Sequence, residues 1–381
     1  MVMTETHRLN EGLIGVSGGA SGLATPALVI DRPALERNIA AMARFARHAG
    51  VALRPHAKTH KSAAIAALQR EAGAVGICVA KLGEAEALAA KGVRDLLITS
   101  PVVAPAAVAR LAALFNRAPE TMVVIDSTAA LRAAADAAAA AGTVVSVLLD
   151  LDIGLGRTGV APGNAAALAA AIARDPGLSL AGVQAYAGHL QHIESGTERR
   201  AKATEARDVL AATVAHLKEG GHAVAIVSGA GTGTFDLDGG AGVYTELQAG
   251  SYVFMDRQYN DVWTKDGQKP PFETSLFVQT GVISANRARL ATTDAGLKAF
   301  AADAGAPAIA SGAPDGSAYF FFGDEQGGVL LPEGACLAPG AVLRCVVPHC
   351  DPTVNLYDAY CVVDGGTLID IWPVDARGRS Q

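Results

Sequence analysis

Val51-Ala52-Leu53-Arg54-Pro55-His56-Ala57-Lys58-Thr59-His60-Lys61 joins a short apolar run to a basic octapeptide. If Val51 to Leu53 is a strand, side chains alternate beyond it, and His56, Lys58 and His60 leave one face together. That sets a lysine between two imidazoles at the end of a buried strand. Desolvation and neighbouring positive charge would keep such an amine partly neutral, the condition it needs to form a Schiff base. Taken alone, the octapeptide reads more simply as a solvated basic loop. The segments around it decide between the two.

On both sides of it runs one repeating unit: an apolar strand, a turn residue, an amphipathic helix. Ala27 to Ile30 is strand-like, Asp31 is placed as an N-cap, Pro33 stands early in the helix, and Leu35, Ile39, Met42 and Ala46 recur at helical spacing. Further strands are expected at Val51 to Leu53, Gly76 to Val79, Leu96 to Thr99, Met122 to Ile125, Val144 to Leu149, Leu180 to Tyr186 and Ala223 to Ser228. Helices are expected at Lys61 to Glu71, Gly83 to Ala90, Pro105 to Phe115, Ala165 to Ala173 and Thr197 to Lys218, and the alanine-rich run Ala129 to Ala141 suits an exposed helix. Eight strand units in roughly 200 residues, with no early G-x-G-x-x-G turn, favour a (β/α)8 TIM-type barrel over a doubly wound open sheet. Past Tyr259 the pattern changes. Pro270-Pro271 interrupts the chain, and strand-like runs from Ser275 to Ile371 alternate with Asp-Gly and Gly-Gly turns. The expected organisation is a barrel over residues 25–262 and an antiparallel β domain made of residues 1–24 plus 263–381.

The chain has 381 residues and a net charge of −6, which argues against a general attraction to nucleic acid or anionic lipid and favours a small-molecule partner. Five scattered cysteines (Cys78, Cys336, Cys345, Cys350, Cys361) without a C-x-x-C pair suit buried thiols in a reducing compartment. No export signal or membrane span is visible, so a cytoplasmic protein is expected.

In a barrel, chemistry sits where strands end. Counting Ala27 to Ile30 as the first strand, the second ends in His56-Ala57-Lys58, the sixth in Asp150 to Gly159, the seventh in Tyr186 to His192, and the eighth in Ser228-Gly229-Ala230-Gly231-Thr232-Gly233-Thr234. The last is a glycine-rich loop whose bare N–H groups could cradle a phosphate, although such a loop is as often a flexible linker. A lysine and a phosphate cradle in one barrel would together describe a pyridoxal phosphate site. Arg157, in its tight glycine setting, could bond a ring hydroxyl or make a surface salt bridge, and His192 could equally be a packed loop histidine. Later, Pro348-His349-Cys350-Asp351-Pro352-Thr353 interrupts an apolar strand pattern. His349 and Asp351 would share a strand face and could bind one divalent cation with positions left open, or could simply form a turn.

Together these segments resemble the D-threonine aldolase and D-serine dehydratase group of fold-type III pyridoxal phosphate enzymes, with an alanine racemase-like barrel. The resemblance runs from Thr25-Pro26 to Ala376-Arg377-Gly378 and rests on the octapeptide, Gly156-Arg157-Thr158-Gly159, Tyr186 to His192, Gly229 to Gly233, Tyr244 to Tyr252, Phe254-Met255-Asp256, Asp294 to Lys298 and His349 to Thr353. It implies a homodimer and Lys58 as the covalent anchor of the cofactor. It also implies Arg157 and Tyr186 beside the cofactor ring, with Gly231, Thr232, Gly233, Gly250 and Ser251 around the phosphate. His349 and Asp351 would hold a divalent metal (Mn2+, with Mg2+ or Zn2+ as alternatives), and His192 would act as base near the substrate hydroxyl. Aspartate rather than cysteine two residues after the histidine points to the aldolase branch. Three positions depart from the family pattern: Ala80 where glutamine is frequent, Ala230 in place of a glycine, and Gln326 where histidine is common, the last bearing on substrate choice. The implied activity is retro-aldol cleavage of D-β-hydroxy-α-amino acids. A dehydratase acting on D-serine or D-3-hydroxyaspartate is the alternative, and a non-catalytic pyridoxal phosphate carrier is the alternative of another class.

Overall fold

The apolar run after Thr25 forms β1 (Ala27–Asp31), and every residue from Ala27 to Ile30 is buried. Asp31 caps the following helix, Arg32–Ala49, by accepting the Ala34 N–H at 3.0 Å, and Leu35, Ile39, Met42 and Ala46 are its buried face, as their spacing predicts. The partners of β1 differ from the expectation. It runs antiparallel to Leu276–Arg287 and parallel to Ala359–Asp364, so it belongs to the C-terminal sheet and not to the barrel. The computed structural model describes residues 9–381, and residues 1–8 of the N-terminal segment assigned to the β domain lie outside them.

The barrel sheet still has eight parallel strands: β2 (Ala52–Leu53), β3 (Ile77–Val79), β4 (Leu96–Ile98), β5 (Met122–Ile125), β6 (Val145–Leu151), β7 (Leu178–Ala185), β8 (Ile226–Gly229) and β9 (Glu246–Leu247), hydrogen-bonded in the order β2-β9-β8-β7-β6-β5-β4-β3. A bridge between His56 and Cys78 brings the two ends of this order together, with Ala57 N–H on Cys78 O at 2.7 Å and Cys78 N–H on Pro55 O at 2.9 Å. The eighth strand is therefore β9, which is too short and too polar to read as a strand by itself. It exists because Glu246 is buried against the Arg54 guanidinium at 2.9 Å and the Ser228 hydroxyl at 2.7 Å.

Helices between the strands cover the sheet with their apolar faces, Leu82–Ala90 and Pro105–Arg117 among them. The alanine-rich helix Thr128–Ala141 is not exposed throughout: Ala130, Ala133, Ala134, Ala137 and Ala138 form a buried stripe at helical spacing.

The second sheet holds β1 with β10 (Leu276–Arg287), β11 (Leu290–Thr293), β12 (Ala308–Ser311), β13 (Ala318–Phe321), β14 (Gly327–Leu330), β15 (Val342–Val346), β16 (Ala359–Asp364) and β17 (Thr367–Pro373). All its pairings are antiparallel except β1 with β16. Gly365 and Gly366, with φ of 53° and 86°, supply the left-handed pair that closes the β16–β17 hairpin. The N-terminal segment lies on this hairpin, Gly15 N–H reaching Leu368 O at 2.9 Å and Ala20 N–H reaching Gly366 O at 3.1 Å. Four of the cysteines are buried as expected, but Cys336 is exposed. Among the described residues no helix is long and apolar enough to cross a membrane.

Candidate active site

The octapeptide leaves β2 and crosses the top of the barrel, and it is not a solvated loop: all of Arg54 to Lys61 is buried except Lys58, which is partly exposed. His56 accepts the Lys58 N–H on Nδ1 at 3.3 Å, so its Nε2 carries the proton and donates to Thr99 Oγ1 at 3.0 Å, whose hydroxyl bonds Val79 O at 3.1 Å. His60 accepts the Ser62 N–H on Nδ1 at 3.1 Å. Burial pushes both imidazoles toward the neutral form, His56 well below its ordinary value and His60 down to about 4.

The two histidines therefore do not supply the positive charge expected to neutralise Lys58. Its Nζ instead meets Asp351 Oδ1 at 2.5 Å, while Asp351 Oδ2 accepts from Thr59 Oγ1 at 3.1 Å and Ser251 Oγ at 3.4 Å. Burial opposes both charges, but their mutual attraction outweighs it, holding the Lys58 ammonium above its ordinary value and the Asp351 carboxyl well below. Lys61 turns away, with φ of 50°, into a buried pair with Glu84. The second Glu84 oxygen accepts the N–H groups of Ala80 at 2.8 Å and Lys81 at 3.2 Å.

Lys58 opens into a cavity of about 810 Å³ whose wall includes His56, Arg157, Tyr186, Gly231, Thr232, Gly250 and Ser251. The Arg157 guanidinium lies over the Tyr186 ring, 5.7 Å from its centroid. Gly231, Thr232, Gly250 and Ser251 are buried, and among the described residues their backbone N–H groups have no acceptor. Their loops are fixed from behind: Tyr252 N–H bonds Thr232 Oγ1 at 3.0 Å, and a Cβ on Gly250 would lie 2.8 Å from His56 O. Gly233 does not join this group. Its N–H is given to Gln191 Oε1 at 2.9 Å, and it is not part of the cavity wall, so it shapes the turn. Ala80 lines the cavity, whereas Gln326 sits exposed on the β13–β14 turn, its carbonyl accepting from Phe322.

His349 and Asp351 do not share a strand face. β15 ends at Val346, and His349 is the N-cap of a short helix, Cys350–Val354, with Asp351 in its first turn. Asp256 holds this turn in place by accepting the Cys350 N–H at 2.8 Å and the Tyr259 N–H at 2.9 Å. His349 Nδ1 meets Asp303 Oδ2 at 2.6 Å. Among the described residues no three His, Cys, Asp or Glu side chains gather into a metal cage. An imidazole and a carboxylate suit a hard or borderline divalent ion, with the other positions left to water and substrate. His192 is open to solvent along one side, but its ring packs 4.6 Å from that of Tyr259 and is desolvated there. Burial, then the nearby His349, lowers its pKa. Asp303 and Tyr259 have no pattern in the sequence that marks them, and Gln191, though inside the Tyr186 to His192 stretch, is not singled out by it. They are found only through His349, His192 and the glycine loop, which they touch.

A parallel barrel carrying a lysine at the mouth, free amides beyond it and a second sheet closing the site is the architecture of alanine racemase-like enzymes. The model of the alanine racemase N-terminal domain matches residues 30–258, and that of the serine dehydratase domain matches residues 275–363. The chain is 43% identical to a D-threonine aldolase of an Arthrobacter species, over 94% of this chain and 93% of that one. It is 38% identical to a 3-hydroxy-D-aspartate aldolase of Paracoccus denitrificans (strain Pd 1222), again over 94% and 93%. The crystal structure of a D-threonine aldolase from Filomicrobium marinum superposes with a TM-score of 0.90 at 41% identity, covering 94% of this chain and 97% of the other. The chain belongs to the D-threonine aldolase and D-serine dehydratase family, and it is an enzyme, a lyase. The family implies pyridoxal phosphate, and the four acceptor-less amides facing one cavity beyond a reachable lysine fit that group.

Proposed function

We infer that the protein is a pyridoxal phosphate- and divalent metal-dependent D-threonine aldolase that cleaves D-β-hydroxy-α-amino acids, such as D-threonine, D-allo-threonine and D-phenylserine, to glycine and an aldehyde. The observation that carries this reading is the convergence of Lys58 and the acceptor-less amides on one cavity, with Asp351 on the Lys58 ammonium. Lys58 is the covalent anchor, Arg157 and Tyr186 flank the ring, and Gly231, Thr232, Gly250 and Ser251 hold the phosphate. When bound, the cofactor takes up the electrons released at Cα. His349 and Asp351 would hold the divalent metal, Mn2+ in this reading, whose Lewis acidity would make the β-hydroxyl easier to deprotonate. The lowered His192 pKa favours the neutral imidazole, which would accept the hydroxyl proton as Cα–Cβ breaks. The aspartate at position 351 and the 43% identity to a D-threonine aldolase support cleavage over elimination.

The test is product analysis with D-threonine, D-3-hydroxyaspartate and D-serine, with and without chelator, beside Lys58→Ala and Asp351→Ala. Glycine plus aldehyde is expected, lost on chelation and in both variants. His192→Ala is expected to lower kcat by roughly 10²–10⁴-fold with cofactor absorbance unchanged. A keto acid as sole product would overturn the aldolase reading in favour of a dehydratase, and a yellow protein without turnover would favour a carrier. Homodimerisation belongs to the same reading, and light scattering checks it by mass.

A further inference from the structure

We propose that Asp303 is a positioning residue for the metal site: its carboxylate holds the His349 ring by Nδ1 and so leaves the Nε2 lone pair free for the metal that His349 would ligate. The inference rests on the metal reading above, in which His349 is a ligand. A carboxylate can only accept, so at 2.6 Å Asp303 Oδ2 accepts the Nδ1–H, and the tautomer this selects carries its lone pair on Nε2. Metal-bound histidines owe their tautomer and ring direction to just such an outer partner.

The loop that carries Asp303 is fixed on both sides. Ala301 N–H bonds Thr353 Oγ1 at 3.1 Å, and that hydroxyl donates to His349 O at 2.7 Å, tying the loop to the backbone of the histidine itself. Beyond Asp303, the Arg257 guanidinium bonds Ala306 O, and the Arg257 N–H bonds Val347 O at 3.0 Å. One arginine thus joins the Asp303 loop to the strand end that leads into His349. The Asp303 side chain is 53% exposed and that of His349 25%. A hydrogen bond this open to water contributes little to folding, so its effect falls on where the imidazole points.

The experiment measures Mn2+ affinity of the cofactor-loaded protein, by calorimetric titration and by competition with a chelator, for native protein, Asp303→Ala, Asp303→Asn and His349→Ala. Asp303→Ala is expected to weaken Mn2+ binding about 10–100-fold. Asp303→Asn keeps an acceptor for Nδ1–H without the charge and should lose less. Cofactor absorbance and Tm should stay as in the native protein for both, whereas a merely structural role would lower Tm and leave Mn2+ affinity of the folded fraction intact. Native Mn2+ affinity in Asp303→Ala, with binding lost in His349→Ala, would overturn this inference alone. Native Mn2+ affinity in His349→Ala would overturn it together with the metal reading on which it rests.

Discussion

Ala230 stands at φ 60°, in the left-handed region where a Cβ crowds its own backbone. This is the position at which the family pattern has glycine, and the backbone shows why. Replacing Ala230 by glycine removes roughly 1–2 kcal/mol of strain and costs about 0.4–1 kcal/mol through a freer unfolded chain. The balance is stabilising, so Ala230→Gly should raise the urea midpoint slightly, and a lowered midpoint would show that the strain is absent. His60 gives a pH dependence. Its folded pKa of about 4 lies below the ordinary imidazole value of 6.5, so the unfolded chain takes up its proton first. Its stabilising contribution is complete above pH 6.5 and is lost as the pH falls toward 4. Thermal scans across this window should show Tm falling with acid, and His60→Asn should flatten that part of the profile. At this scale Lys58, Arg157 and the glycine-rich loop with Thr232 stand out by residue type and place at a strand end, which are local facts, whereas Tyr186 was singled out by the resemblance; all four line one cavity. The protonation of Lys58 was not legible, since Asp351 is 293 residues away.

At the scale of elements, the pair that decides the barrel is Arg54 with Glu246, their side chains 7% and 5% exposed. It links the octapeptide to β9, and Ser228 on β8 donates to the same carboxylate. Removing one member leaves a buried charge alone, at a cost of roughly 3–5 kcal/mol. Glu246→Gln should therefore lower unfolding free energy by that order in urea titration, and Arg54→Met/Glu246→Leu should recover part of it. A Glu246→Gln variant as stable as the native protein would mean that the pair does not hold β9. Seven of the eight barrel strands were legible from apolar periodicity; the count of eight was reached only by including β1, which belongs to the other sheet, in place of β9. Ala27 to Ile30 is apolar on both faces and would suit either sheet, whereas Glu246-Leu247 carries too little periodicity to show at all. Likewise His349 and Asp351 were visible as a pair, but the turn that carries them depends on Asp256 holding the Cys350 N–H.

Over the whole molecule, the segment after β17 joins the second sheet to the barrel beneath the octapeptide. Ala376 N–H bonds Lys61 O at 3.0 Å, Asp375 Oδ2 accepts the Ala63 N–H at 2.8 Å, and Gly83 N–H bonds Gln381 O at 2.8 Å. Asp375 is thus a long-range cap for the helix Ala63–Glu71, whose own Ser62 makes no side-chain cap bond. Three such bonds at about 1 kcal/mol each make removal of residues 375–381 a loss of roughly 3 kcal/mol. A lowered Tm is expected, together with faster loss of cofactor on dialysis, because Lys58 rides on the segment that is released. An unchanged Tm would show that the contacts are superficial.

The sequence by itself determined the alternation of strands and helices, the change to antiparallel strands after Tyr259 and the side chains able to do chemistry, because these depend on local periodicity and residue type. Only the tertiary structure decided which sheet takes β1, what charge faces Lys58 and which carboxylate meets His349. Each of those depends on groups dozens to hundreds of residues apart in the chain, brought within hydrogen-bond distance by burial of the two sheets against their helices.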